Sequence, residues 1–150
     1  NTTNPRLVGT SALSYAAGLF DGEGCIHIAK QTHPGSRQGY VYRLVVSVAQ
    51  NHLRSLIDFQ DFVGIAGRIY PVKRQGSANR DAYTLTYDGG TAEALLRVLQ
   101  PYLGRKADEA TVALAFQTHG QIRRHFGPNG CPANVWRQRA YYYQKLRKLK

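Results

Sequence analysis

Residues 12 to 20 constrain the fold more than any other stretch of the chain. Ala12, Leu13, Tyr15, Ala16, Ala17, Leu19 and Phe20 are apolar, so a helix here is apolar on almost every side. Such a helix has no face to give to water and must be buried or packed against a partner. Ser14 with Gly18, and Ala12 with Ala16, set small residues four apart, a spacing that lets two helix backbones approach closely. Ser11 is the expected N-cap. The helix is expected to stop near Asp21-Gly22-Glu23-Gly24, where two glycines interrupt it.

Strand patterns follow. From Cys25 to His33, Ile26 and Ile28 alternate with His27, Ala29, Gln31 and His33, and Pro34-Gly35-Ser36 turns the chain. Residues 40 to 50 alternate again, with Tyr42, Leu44, Val46 and Val48 on one face and Arg43, Val45, Ser47 and Ala49 on the other. A helix is expected from 51 to 63, closed by Gly64. Arg68–Arg74 and Asp81–Tyr87 form a second hairpin joined through 75–79, with Tyr83, Leu85 and Tyr87 inward and Ala82, Thr84 and Thr86 outward. Thr91 caps a helix running to Gln100, before Pro101. Helices over 106–119 and 133–149 follow, with a loop at 127–132 between them. The order α-β-β-α-β-β-α-α-α predicts an α+β fold, a four-stranded antiparallel sheet with helices over one face. The 150 residues read as a single domain, with its core over about 11–119 and a basic helix at the end.

Charge narrows the function. The net charge is +11, and no apolar run approaches the ~18 residues of a membrane span. Fold does not require such an excess; it favours a polyanionic partner, and with no spanning helix the expected partner is not a membrane. Asp21 and Glu23 are the only acids in the first 57 residues, and none follows Glu109. A surface built for phosphate contact has reason to avoid carboxylates, so this pair needs an explanation. Two remain open from the residues alone: a helix-end turn, or a site for a hard cation such as Mg²⁺. Cys25 and Cys131 read as free thiols of an intracellular protein, and the scattered histidines show no zinc spacing. No secretory signal is visible, and the expected location is inside the cell, with DNA.

The outer sheet face offers His27, Gln31, His33, Arg43, Ser47, Arg68, Tyr70 and Arg74, with Lys73 and Arg80 near the second hairpin's tip. Arg suits guanine edges, Gln suits adenine edges, and both suit phosphate. Strands of about nine residues reach ~30 Å, roughly nine base pairs per copy. The last helix carries Trp136, Tyr141, Tyr142 and Tyr143. Three successive tyrosines cannot share one helical face, so at least one packs inward, while the basic residues flank the main interface.

Tyr15 to Gly24 resembles the signature helix of the LAGLIDADG homing endonucleases. Ala17, Gly18, Leu19, Asp21 and Gly24 match the nine-letter name, while Ala16, Phe20, Gly22 and Glu23 depart from it. The order of elements from 11 to 119 matches the αββαββα core of that family. Gln50, Arg54, and Lys106 after Leu99-Gln100-Pro101-Tyr102-Leu103 match its single-motif branch, in which residues at these places surround the active site.

The resemblance implies a homodimer whose signature helices pack at a two-fold axis through Ser14, Ala17, Gly18 and Asp21, on double-stranded DNA. It implies a partly palindromic target of ~20 base pairs, as a two-fold dimer requires, and cleavage across the minor groove leaving four-base 3′ extensions. It serves intron or intein homing. Glu23 and the carbonyl of Gly22 are the implied ligands of Mg²⁺, with Mn²⁺ or Ca²⁺ as substitutes. Gln50, Arg54 and Lys106 order solvent and stabilise the attacking or departing oxygen, and Asp21 closes the helix end or holds the dimer. The alternative within the same fold is a non-cutting, RNA-binding splicing helper that acts on intron RNA. A structural RNA-binding protein explains the charge but not the Asp21–Gly24 sequence.

Overall fold

The structure, a computed structural model, describes residues 9–73, 81–122, 124 and 126–150. Its elements are α1 (Thr10–Glu23), β1 (Gly24–Thr32), β2 (Tyr40–Gln50), α2 (Leu53–Val63), β3 (Arg68–Val72), β4 (Ala82–Asp88), α3 (Gly89–Leu99), a 3₁₀ turn (Gln100–Tyr102), α4 (Ala107–His119) and α5 (Ala133–Lys148). The sheet is antiparallel in the order β1-β2-β4-β3. Its inner face is apolar, as the alternation requires: Ile26, Ile28, Tyr42, Leu44, Val46, Val48, Leu85 and Tyr87 are buried under the helices. Ala82, expected outward, is buried as well, in register with Val72 on β3.

The first helix departs from expectation at its start and ends where expected, at Glu23. It begins at Thr10 after Gly9, which makes no side-chain cap, so Ser11 is inside the helix. At the other end it runs through Asp21, Gly22 and Glu23 and passes straight into β1. Gly24 is required there for space, because a Cβ would stand 2.5 Å from the Phe20 ring and 2.6 Å from the Phe20 carbonyl. Gly64 closes α2 in the left-handed conformation, φ 71°, as its position after a periodic apolar run predicts. The third helix starts at Gly89 with Asp88 at the N-cap position, three residues before the Thr91 cap expected.

Helix α5 is part of the core. Leu146 and Val135 are buried, and Trp136 packs against Tyr40 and Tyr42 at ring distances of 4.9 and 5.1 Å. Tyr143 faces Tyr42 at 5.1 Å and Tyr142 stacks on His119 at 5.9 Å, while Tyr141 stays exposed. Arg139 fastens the preceding turn, donating from Nε to the Gly120 carbonyl at 2.7 Å. Both cysteines are free. No helix among the described residues is long and apolar enough to cross a membrane.

Trp136→Ala should therefore destabilise the protein by about 3 kcal/mol and lower Tm by about 10 °C. A thermal melt checks this, and an unchanged Tm contradicts the packing of α5 on the sheet.

Candidate functional site

The C-terminal end of α1 brings Asp21, Glu23 and Lys106 together. The register setting Gly24 opposite Val48 leaves Gln50 just beyond, at the same end of the molecule. Arg54 follows in the first turn of α2. Lys106 comes from the loop before α4, and the structure fixes its place: its Nζ donates to the Asp21 carbonyl oxygen at 2.7 Å. That loop is in turn held by the Asp21 carboxylate. Oδ2 accepts the Gly104 amide at 2.7 Å, and Oδ1 accepts the Lys106 amide at 2.9 Å. Lys106 is thus a buried lysine whose ammonium is satisfied by a helix-end carbonyl, at the negative pole of the α1 dipole.

Glu23 differs from Asp21. It is exposed and makes no hydrogen bond or ion pair among the described residues. A carboxylate, beside the unpaired carbonyls that end a helix, is a set of hard oxygen donors of the kind Mg²⁺ takes. No group of three or more His, Cys, Asp or Glu able to hold a metal exists among the described residues. One chain therefore offers a partial shell, which suits a cation that keeps several waters and takes substrate phosphates as ligands. Arg54 is engaged on its own helix, where Nε donates to Asp58 Oδ1 at 3.1 Å.

The exposed stripe of α1 holds Ser11, Ser14, Tyr15, Gly18 and Gly22. A Cβ added at Gly18 or Gly22 meets nothing within 4 Å, so the chain's own packing does not require glycine at either place. The expected interface residues divide. Ser14 and Gly18 are on this stripe. Ala17 is fully covered by its own chain, and Asp21 is spent on the 104–106 loop. Ala12 and Ala16 are buried too, so this second small-residue pair seats α1 on its own core instead of on a second helix.

The open face of the sheet carries six of the expected contacts. Ser47, Thr86 and Arg68 stand in one cross-strand row with Cys25, and Thr84 and Tyr70 in another with Ala49. His27, Gln31 and Arg43 continue the face along β1 and β2. Burial and then the Lys150 ammonium hold His27 below the ordinary imidazole pKa, which favours the neutral ring and leaves it a donor and an acceptor. His33 lies past the end of β1, in a turn closed by its amide on the Gly39 carbonyl at 2.9 Å. Arg74 and Arg80 lie outside the described residues. Sequence reasoning missed Asp88, whose Oδ2 sits 3.4 Å from Arg43 Nη1. Ending β4 one residue early hid it, although strict alternation from Thr84 and Thr86 reaches it.

A sequence profile described as LAGLIDADG endonuclease matches residues 16–108. The chain belongs to the LAGLIDADG endonuclease family. The match spans α1 to the start of α4 and leaves α5 outside. No curated protein matches it in sequence. Among solved structures, the fold resembles that of the homing endonuclease I-CvuI in complex with DNA, 23% identical over 92% of this chain and 81% of that one, with a TM-score of 0.73. It also resembles the archaeal intron-encoded homing endonuclease I-Vdi141I complexed with DNA, 18% identical over 92% and 83%, TM-score 0.73. A third is I-SmaMI bound to an uncleaved DNA target with calcium ions, 15% identical over 91% of this chain but 45% of that one, TM-score 0.66. The fold is that of the LAGLIDADG homing endonucleases, α+β with a four-stranded antiparallel sheet.

Asp21→Ala in this LAGLIDADG protein should free the amides of Gly104 and Lys106. The expected loss is about 2 kcal/mol of stability, with faster hydrogen exchange at those two amides. Exchange at the wild-type rate contradicts the clamp.

Proposed function

We propose that this LAGLIDADG protein is a site-specific DNA endonuclease that works as a homodimer and makes a double-strand break, one strand per copy. The observation that carries the reading is the seat of Lys106: a buried ammonium 2.7 Å from the Asp21 carbonyl in the last turn of α1, two residues before the unpaired carboxylate of Glu23. A general structural role for Glu23 leaves that carboxylate without a purpose.

The open sheet face gives the duplex its surface. Arg68, Arg43, Gln31, His27, Ser47 and Tyr70 supply the mixed donors and acceptors that base edges require, and the net charge of +11 supplies attraction to phosphate. The exposed α1 stripe through Ser14, Gly18 and Gly22 is the surface on which two copies meet, with their α1 helices in close contact. The chain spans under half the length of I-SmaMI. Two sheets in line read ~20 base pairs of a partly palindromic target.

At the centre, Glu23 and the Gly22 carbonyl of each copy would hold a divalent ion, Mg²⁺ by preference, against the scissile phosphate. Bound there, such an ion supplies Lewis acidity to the phosphoryl group and lowers the pKa of the attacking water. Asp21 fixes the 104–106 loop, and through it Lys106 presents positive charge to the oxygen that carries developing charge. Gln50 orients solvent by hydrogen bonding, and Arg54, steadied by Asp58, adds positive charge. The proton of the attacking water leaves through solvent. Cleavage across the minor groove leaves four-base 3′ ends, and the biological role is homing of an intron or intein.

Glu23→Gln should abolish Mg²⁺-dependent cleavage of a selected DNA site and leave affinity within a few-fold. Unimpaired cleavage contradicts the assignment. Gly18→Leu should shift the sedimentation of the free protein from dimer towards monomer, and a normal dimer contradicts the α1 interface.

A further inference from the structure

Asp88 is the only acid on any of the four strands among the described residues, and its side chain stands on the open face. Two ordinary explanations for it fail. Aspartate at an N-cap position stabilises a helix by accepting an amide with its side chain; Asp88 occupies that position on α3 and makes no such bond. Its ion pair with Arg43, 3.4 Å between partly exposed groups, is of a kind that contributes little stability. A carboxylate on a phosphate-binding surface also opposes binding. Something other than stability or raw affinity must account for it.

Its neighbours supply the reason. Asp88 is in register with Val45, and Arg43 is two residues away on the same face of β2. On the other side, Thr86 is in register with Arg68, so Arg68 stands diagonally across from Asp88 on β3. Diagonal neighbours of this kind are within reach of long side chains. One carboxylate thus lies between two arginines from two strands. The neighbouring Tyr70 side chain, and then the charge of Asp88, favour the charged form of the Arg68 guanidinium. An unrestrained arginine on an exposed strand samples many rotamers and can settle on any phosphate within reach. A guanidinium held on one edge by a carboxylate offers its other edge in a fixed direction, as bidentate recognition of a guanine needs.

We infer that Asp88 is a specificity-determining positioning residue: it orients Arg43, and with it Arg68, towards base edges and lowers affinity for wrong sequences. The inference rests on the reading of the open face as the DNA surface. Asp88 gives up some attraction to every duplex and gains discrimination among them, since a mismatched site has no base to compensate the carboxylate's repulsion of phosphate.

The test selects cleaved duplexes from a randomised library with the wild-type protein, then measures single-base preference for wild type, Asp88→Asn, Arg43→Ala and the double variant. Asp88→Asn should loosen preference about tenfold at the positions that Arg43→Ala loosens, and raise affinity for unrelated duplex about threefold. In the Arg43→Ala background it should change preference at those positions no further. Unchanged base preference with a uniform rise in affinity overturns the inference, as does additive loosening in the double variant. A wild-type protein that enriches no sequence fails the DNA reading itself, an outcome distinct from both. Asp88→Glu, which keeps the charge, should restore most of the preference, and failure to do so also counts against the inference.

Discussion

The carboxylate of Asp21 joins two parts of the chain 83 and 85 residues apart, and the candidate site depends on that joint. The last turn of a helix ends in free carbonyls and a negative partial charge, so a cation is welcome there and a second carboxylate is not. The chain meets both demands with two acids in different employment. Asp21 turns inward onto backbone amides and brings Lys106 to the helix end. Glu23 remains in the open. Without the clamp, a buried lysine would have neither a fixed loop nor a carbonyl for its ammonium, and the charge balance at the end of α1 would change.

The rest of the molecule positions this end. The helix passes into β1 with no intervening loop because Gly24 lets the strand leave directly beside the Phe20 ring. The catalytic candidate is therefore rigidly tied to the edge strand of the sheet, and whatever the open face grips is held at a set distance from Glu23. Helix α5, outside the matched family segment, covers the inner face of β1 and β2 with Trp136 and Tyr143 and steadies the same strands.

Much of this was legible in the sequence. Two-residue alternation in residues 40–50 named the buried face of β2 correctly, because each residue on a strand faces opposite to the last. Gly64 was legible as a helix end for the same local reason. What failed was what local pattern does not carry. The helix end expected within Asp21–Gly24 falls at Glu23, but the local pattern does not say that the chain passes from there straight into β1. Small-residue spacing put Ala12 and Ala16 on an interface, although their own core covers them. The roles of Asp21 towards Gly104 and of Asp88 towards Arg43 depend on contacts between residues distant in sequence, and no periodicity reports those. The expectation that Gln50, Arg54 and Lys106 surround one site came from family resemblance. Spacing along the chain did not supply it.

The central claim is that the carboxylate just past α1 holds a divalent ion against DNA, and that two copies bring two such carboxylates together. Anomalous scattering from Mn²⁺ in crystals of the protein with its selected duplex measures this directly. The account predicts manganese peaks within coordination distance, about 2.2 Å, of Glu23 oxygens and of a backbone phosphate oxygen, on either side of a two-fold axis that relates two α1 helices. Peaks remote from Glu23, or one chain bound alone to the duplex, would contradict it.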